Sequence, residues 1–179
     1  MMEKIGIFCA SSDGMEPLYY ERARALGAWM GREGRTLVYG GIACGLMEAV
    51  AQAVKQNGGR VYGVVPQGLK LKKGPSDAID VTLWCNDLTD RKTWLIQESD
   101  VLVVLPGSVG TLDEAFTTMA SNMVGMHPKR TIFWNINGFY NTLFAFLKEL
   151  EGRGVVGKPW ADYVSKVDTL DELIAELEK

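Results

Sequence analysis

Two groups of residues have types and spacings that can do chemistry. The first is Pro106-Gly107-Ser108-Val109-Gly110-Thr111, which follows the apolar run Val101 to Leu105 and precedes Asp113 and Glu114. A buried strand, a glycine turn and a helix start suit an anion, most often a phosphate. The first N–H groups of a helix are unpaired, and the dipole there is positive. Glycine lets a ligand approach the backbone closely, and Thr111 adds a hydroxyl donor. Glu114 lies one turn into the expected helix. A carboxylate does not hold a phosphate, so its task is either on a neighbouring part of the ligand or the ordinary helix-start preference for acids. The second group is Gly40-Gly41 with Gly45, after a short apolar run, a weaker signal that a plain turn also explains. Arg91 and Lys92 offer a planar guanidinium beside a point charge; taken alone, they read as an exposed basic pair.

The elements that must position these residues follow from hydrophobic pattern and turn signals. Strands are expected at Lys4–Ala10, Thr36–Tyr39, Val61–Val65, Ile79–Trp84, Val101–Leu105, Thr131–Trp134 and Tyr163–Val167. Helices are expected at Pro17–Arg32, Leu46–Gln56, Asp87–Ser99, from Thr111 to about Met123, at Tyr140–Glu151 and at Asp168–Lys179, the last capped by Asp168 or Thr169. The basic stretch from Gln67 to Ser76 reads as a mobile loop. Strands alternating with helices imply α/β architecture: a Rossmann-like, doubly wound parallel sheet with helices on both faces, in one domain spanning 1–179. Turns after Ala10, Tyr39 and Leu105 fall at strand ends, where such folds bind ligands, and they converge on one cleft in this reading.

Composition narrows the function classes. A net charge of −3 gives no electrostatic case for nucleic acid. One histidine and no metal-ligand spacing argue against a metal site. The three cysteines, Cys9, Cys44 and Cys85, lie in or beside apolar segments and read as buried free thiols in a reducing cytoplasm. No segment is long and apolar enough to span a bilayer, so a soluble cytoplasmic protein is expected.

PGSVGTLDE resembles the PGGxGTxxE signature of the LOG family, the phosphoribohydrolases that release cytokinin bases from riboside 5′-monophosphates and have often been labelled "lysine decarboxylase". YGGIACGLM is similar to the family's YGGGxxGLM, and Arg91-Lys92 to its Arg-Lys pair. GVVP, GMHPK and NINGFYNTL also match family segments, in order along nearly the whole chain. The resemblance implies Arg91 and Glu114 as catalytic residues. Gly40, Gly41, Gly45, Lys92, Gly107, Ser108, Val109, Gly110 and Thr111 would bind the nucleotide or its phosphate, with Gly107, Ser108, Gly110 and Thr111 on the phosphate itself. It also implies a homodimer with the site near its interface.

This chain departs from the family pattern at several positions. Ile42 and Ser108 stand where the family has glycine, and a serine would be strained at a positive φ. Thr117 replaces a second acid, and Thr89 stands where a histidine often precedes the Arg-Lys pair. Ser121 and Met123 stand where the family tends to have Trp and Gln. No glutamate lies between Pro66 and Asn86. These changes imply altered substrate choice. Trp94, Met119, Met123 and Met126 are candidates for a base pocket or a subunit interface, while His127 reads as structural.

The resulting expectation is hydrolysis of the N-glycosidic bond of a purine nucleoside 5′-monophosphate, AMP or an N6-modified relative, without a cofactor. The alternative is a non-catalytic nucleotide or molybdenum-cofactor carrier. Decarboxylation lacks a recognisable pyridoxal-phosphate constellation. The turn CASSDG lacks the GxGxxG fingerprint of a dinucleotide dehydrogenase.

Overall fold

The computed structural model describes residues 2–68 and 73–179. In chain order its elements are β1 (Lys4–Phe8), α1 (Pro17–Arg32), β2 (Thr36–Tyr39), α2 (Gly45–Gln56), β3 (Arg60–Pro66), β4 (Val81–Cys85), α3 (Leu88–Glu98), β5 (Val101–Val104), α4 (Val109–Met123), β6 (Thr131–Trp134), α5 (Asn141–Gly152), β7 (Val164–Val167) and α6 (Leu170–Leu177). The seven strands form one sheet in the order β4-β3-β2-β1-β5-β6-β7. Every neighbouring pair is parallel. The chain winds outward from β1 to β4, then returns to the other side of β1 with β5. The β1–β5 pair is therefore the switch in strand order, where such sheets open a crevice.

Both faces are covered, which is why the central strands read as continuous apolar runs. Ile5, Ile7, Leu37, Tyr39, Val101 and Val103 pack on one side with Leu26 and Met30 of α1, Leu46 and Val50 of α2 and Leu173 of α6. Phe8, Val38, Leu102 and Val104 point the other way, toward Leu95 of α3, Ala115 and Met119 of α4 and Phe144 of α5. The strand period of two thus sorts the same run into two cores.

Several ends differ from the sequence expectation for identifiable reasons. β1 stops at Phe8 rather than Ala10, because the Ala10 N–H leaves the ladder for the Pro106 carbonyl (3.1 Å). β4 starts at Val81, because Asp80 turns its carboxylate onto the Val61 N–H (2.9 Å). α4 begins at Val109, since Leu112 N–H already bonds the Ser108 carbonyl (3.0 Å). Of the two expected caps of α6, Thr169 is the one used, in a reciprocal capping box with Glu172. Cys9 and Cys85 are buried, but Cys44 is only half-buried. Trp84 is 54% exposed on edge strand β4.

Leu69–Lys72, the middle of the expected loop, lie outside the described residues. The end of that stretch is stitched down. Gly74 carbonyl accepts from Ala43 N–H (3.1 Å), and Ser76 N–H donates to Gly41 carbonyl (3.0 Å). Ile42 and Pro75 pair as an isolated antiparallel bridge.

Candidate functional site

A cavity of about 410 Å³ opens where five adjacent strands end. Its walls are Cys9, Ser11 and Asp13 after β1, Ile42, Cys44 and Met47 after β2, and Lys73 before β4. Leu88 and Arg91 of α3 complete it with Ser108, Gly110, Thr111 and Glu114 at the start of α4. The three turns expected to converge do so, and backbone bonds tie them together. Ala10 N–H donates to Pro106 carbonyl, and Leu46 N–H donates to Ala10 carbonyl (3.0 Å). Tyr140 hydroxyl donates to Leu105 carbonyl (2.7 Å), holding the α4 turn from the α5 side.

Three helix N-termini border this cavity, and those of α2 and α4 are not equivalent. At α2, Asp13 carboxylate accepts from Gly45 N–H (3.0 Å). Lys73 then pairs with Asp13 (2.6 Å), and the two bonds hold the Asp13 carboxyl below its ordinary range. At α4, Ser108 is the N-cap without a side-chain capping bond. The N–H groups at the start of α4 are the ones left for an anion. Ser108 has φ −102°, an ordinary extended value, so it replaces glycine without strain. Val109 is 81% exposed and does not line the cavity. Gly41 and Gly45 have φ +75° and +56°, which only glycine adopts cheaply.

Arg91 and Glu114 come together deep in this wall. Arg91 Nη1 lies 3.8 Å from Glu114 Oε1, with side chains 13% and 10% exposed. α3 positions Arg91 through its N-cap, Asp87, whose side chain accepts from Thr89 and Asp90 N–H (both 2.8 Å). The guanidinium is then fixed from behind. Nε donates to Val64 carbonyl (3.1 Å) and Nη2 to Gly40 carbonyl (2.6 Å). The fork expected to grip a ligand is thus partly spent on the ends of β3 and β2, and Nη1 is the arm turned toward Glu114. Gly40 has a reason here that is not its φ: a Cβ would lie 1.8 Å from Arg91 Nη2.

Glu114 is 8% exposed, not the solvated acid that its place in a first helical turn suggests on sequence alone. Among the described residues its carboxyl has no hydrogen-bond donor, only the guanidinium nearby. Burial pushes it up to about 7, against the opposing pull of Arg91. A carboxyl that changes charge near neutrality, beside an anion-accepting turn, can act as acid, base or electrostatic partner for a cation. Burial also pushes the Cys9 thiol up.

Other expected residues fall elsewhere. Lys92 does not line the cavity; its ammonium is bonded to both Asp113 oxygens (2.9 Å each). It borders a separate hollow of about 270 Å³ between α3 and α4, with Thr89, Thr117, Ser121 and Met126. Trp94, Met119 and Met123 line neither space, and Met119 is buried in the core. His127 Nδ1 accepts from Lys129 N–H (3.2 Å), a local structural bond. Among the described residues no cluster of His, Cys, Asp and Glu is arranged to hold a metal ion. The sequence reading missed Asp13, Lys73, Met47 and Leu88. Asp13 had a signal, since its turn was already expected at the cleft. Lys73 had none, because its place depends on a strap that pairs across the sheet edge.

Comparison with known proteins identifies the family and the fold. Residues 47–177 match the family described as "Possible lysine decarboxylase". A cytokinin riboside 5′-monophosphate phosphoribohydrolase of Arabidopsis thaliana, LOG7, is 32% identical over 99% of this chain and 82% of its own length. A probable enzyme of the same name from Oryza sativa subsp. japonica, LOGL2, is 32% identical over 98% of this chain and 72% of its own. Among solved structures, the molybdenum cofactor carrier protein of Chlamydomonas reinhardtii superposes with a TM-score of 0.77 at 21% identity, covering 99% and 97% of the two chains. The molybdenum cofactor binding protein of Rippkaea orientalis does so with 0.74 at 23% identity, covering 100% and 99%. At such identities these likenesses show the shared fold.

Proposed function

The chain belongs to the possible lysine decarboxylase family, alongside the cytokinin riboside 5′-monophosphate phosphoribohydrolases, and from that premise we propose that it hydrolyses the N-glycosidic bond of a purine nucleoside 5′-monophosphate. The substrate is AMP or an N6-modified relative, and the products are the free base and ribose 5-phosphate. The observation that carries this reading is the buried Arg91–Glu114 pair, set beside an uncapped helix start in one cavity.

In this mechanism the phosphate sits on the α4 start, held by the N–H groups of Val109, Gly110 and Thr111 with the Ser108 and Thr111 hydroxyls. The α2 start does not compete, because the Asp13 carboxylate already occupies it and repels a second anion. The bond from C1′ to the base breaks with its electron pair going to the base, leaving an oxocarbenium-like ribose. The ionised Glu114 carboxylate stabilises that cation and takes a proton from the attacking water. The water oxygen bonds to C1′, and the base, which carries off the electron pair, takes up the proton that Glu114 received from the water, restoring the carboxylate. Arg91 Nη1 orients the ribose phosphate beside Glu114. Ile42, Met47 and Leu88 supply apolar surface for the base.

We place the enzyme in the cytoplasm as one domain, paired in a homodimer. Exposed Trp84, Leu88, Phe116, Met123, Val124 and Met126 on and around β4, α3 and α4 support the pairing. A non-catalytic carrier is the second reading, favoured by the structural likeness to molybdenum cofactor proteins. Chromatography of AMP and N6-isopentenyl-AMP incubations separates the two. Base release that Glu114→Gln reduces by 100-fold or more, a loss on the order of that for other electrostatic catalytic groups, supports the hydrolase. Tight nucleotide binding with no base release supports the carrier.

A further inference from the structure

Arg91 and Glu114 must keep their separation for the proposed chemistry, yet only one of them is anchored. Arg91 is bonded to the sheet through Val64 and Gly40 carbonyls. Among the described residues the Glu114 carboxyl accepts no hydrogen bond, so it depends on where α4 lies. One residue away on each helix is a second pair. Lys92 is the fifth residue of α3 and Asp113 the fifth of α4. The Lys92 ammonium reaches both Asp113 oxygens at 2.9 Å. Lys92 is absent from the cavity wall and lies on the seam between the helices, facing the smaller hollow.

The geometry points to Lys92 as a positioning residue: with Asp113 it clasps α4 to α3 and sets the Arg91–Glu114 distance, instead of binding the substrate phosphate. The inference rests on the hydrolase reading above. An exposed ion pair adds little to global stability, so its consequence lies in alignment. A small misplacement of catalytic groups is costly in rate, whereas substrate affinity need not change.

The test is a double-mutant cycle with Lys92→Met, Asp113→Asn and the double variant, and with Glu98→Gln as a control. Glu98 pairs with Lys4 across the far end of α3 and does not reach α4. The readouts are kcat and KM for AMP, and Kd for AMP and inorganic phosphate. The clasp predicts that kcat falls roughly 10-fold in each single variant. The double variant falls no further, KM and both Kd values stay within about twofold, and Glu98→Gln matches the parent. Simple charge effects have a different signature. Glu114 is faced by Arg91 and Lys92 from α3, by Asp113 on its own helix and by Cys9 just after β1, with Asp13 and Lys73 across the cavity. Lys92 pulls its carboxyl down and Asp113 pushes it up, so charge alone moves the pH–rate limb in opposite directions in the two single variants. A clasp lowers the plateau kcat in both.

A phosphate Kd that rises in Lys92→Met and not in Asp113→Asn makes Lys92 a ligand and overturns the inference. So does an unchanged kcat in either single variant. If the parent protein releases no base from AMP, the hydrolase reading fails separately. The phosphate Kd then decides the role of Lys92 by itself: unchanged in both variants keeps it off the ligand, and raised in Lys92→Met overturns the inference.

Discussion

Burying a carboxylate beside a single guanidinium disfavours folding whenever the acid is ionised, and Glu114 is in that position. Its folded-state value of about 7 stands above the ordinary 4.5, so the folded protein binds more protons than the unfolded chain between those values. Stability linked to this group is therefore fully present below pH 4.5 and is lost as pH rises through 7. Glu114→Gln removes the linkage. The variant is expected to match the parent in denaturant unfolding near pH 4.5 and to exceed it by up to about 3 kcal/mol at pH 8. Equal stability of the two proteins at pH 8 would mean that the carboxyl is solvated. The same value sets activity: with the carboxylate as the working form, kcat/KM for AMP rises through about pH 7 and then levels. Sequence spacing put Glu114 near the phosphate turn, but its burial follows from packing between α4 and α3, which spacing does not encode. Gly40 makes the same point, because its lack of a side chain is explained by Arg91, 51 residues away.

At the scale of elements, the site is a set of helix starts, each satisfied in its own way. α2 is capped through space by Asp13, α3 locally by Asp87, and α4 is left without a side-chain cap. The one left open faces the cavity, which is how the fold reserves a place for an anion. The α3 cap carries Arg91 one turn further on, so stability and site geometry meet at Asp87. Asp87→Ala is expected to cost about 1 kcal/mol, lowering Tm by roughly 2–4 °C. It should also reduce kcat/KM for AMP, because the first turn of α3 also presents Leu88 to the cavity. A thermal shift without any loss of activity would show that Val64 and Gly40 hold Arg91 unaided. The strands and helices themselves were legible from periodicity, with α1, β2 and β6 matching at both ends. Their starts were less so. Whether a first turn belongs to the helix depends on one bond, such as Leu112 N–H to Ser108 carbonyl, and that bond forms only when the preceding turn is fixed from outside.

For the whole molecule, one seven-stranded parallel sheet separates two cores, and the cavity spans its edge where β1 meets β5. Several large apolar residues stay exposed on β4, on α4 and just after it. Trp84, Phe116 and Met123 are 54%, 39% and 41% exposed, and Met126 is 77% exposed. Light scattering on the purified protein is expected to give a dimer, and Phe116→Glu combined with Met126→Glu a monomer, since a buried unpaired charge is costly at such a contact. A monomeric parent protein would sink that expectation. The sequence by itself determined the alternation of strands and helices, the parallel sheet, the two glycine turns and the family, because these depend on local periodicity, turn chemistry and ordered motifs. Tertiary structure alone decided that Glu114 is buried, that Arg91 is held by two strand ends, that Lys92 turns to Asp113, and that Asp13 and Lys73 close the far end of the cavity. Each of these is a contact between residues far apart in the chain. It is settled by which surfaces the sheet brings together, and a pattern read along one strand or helix carries no record of the surface it will meet.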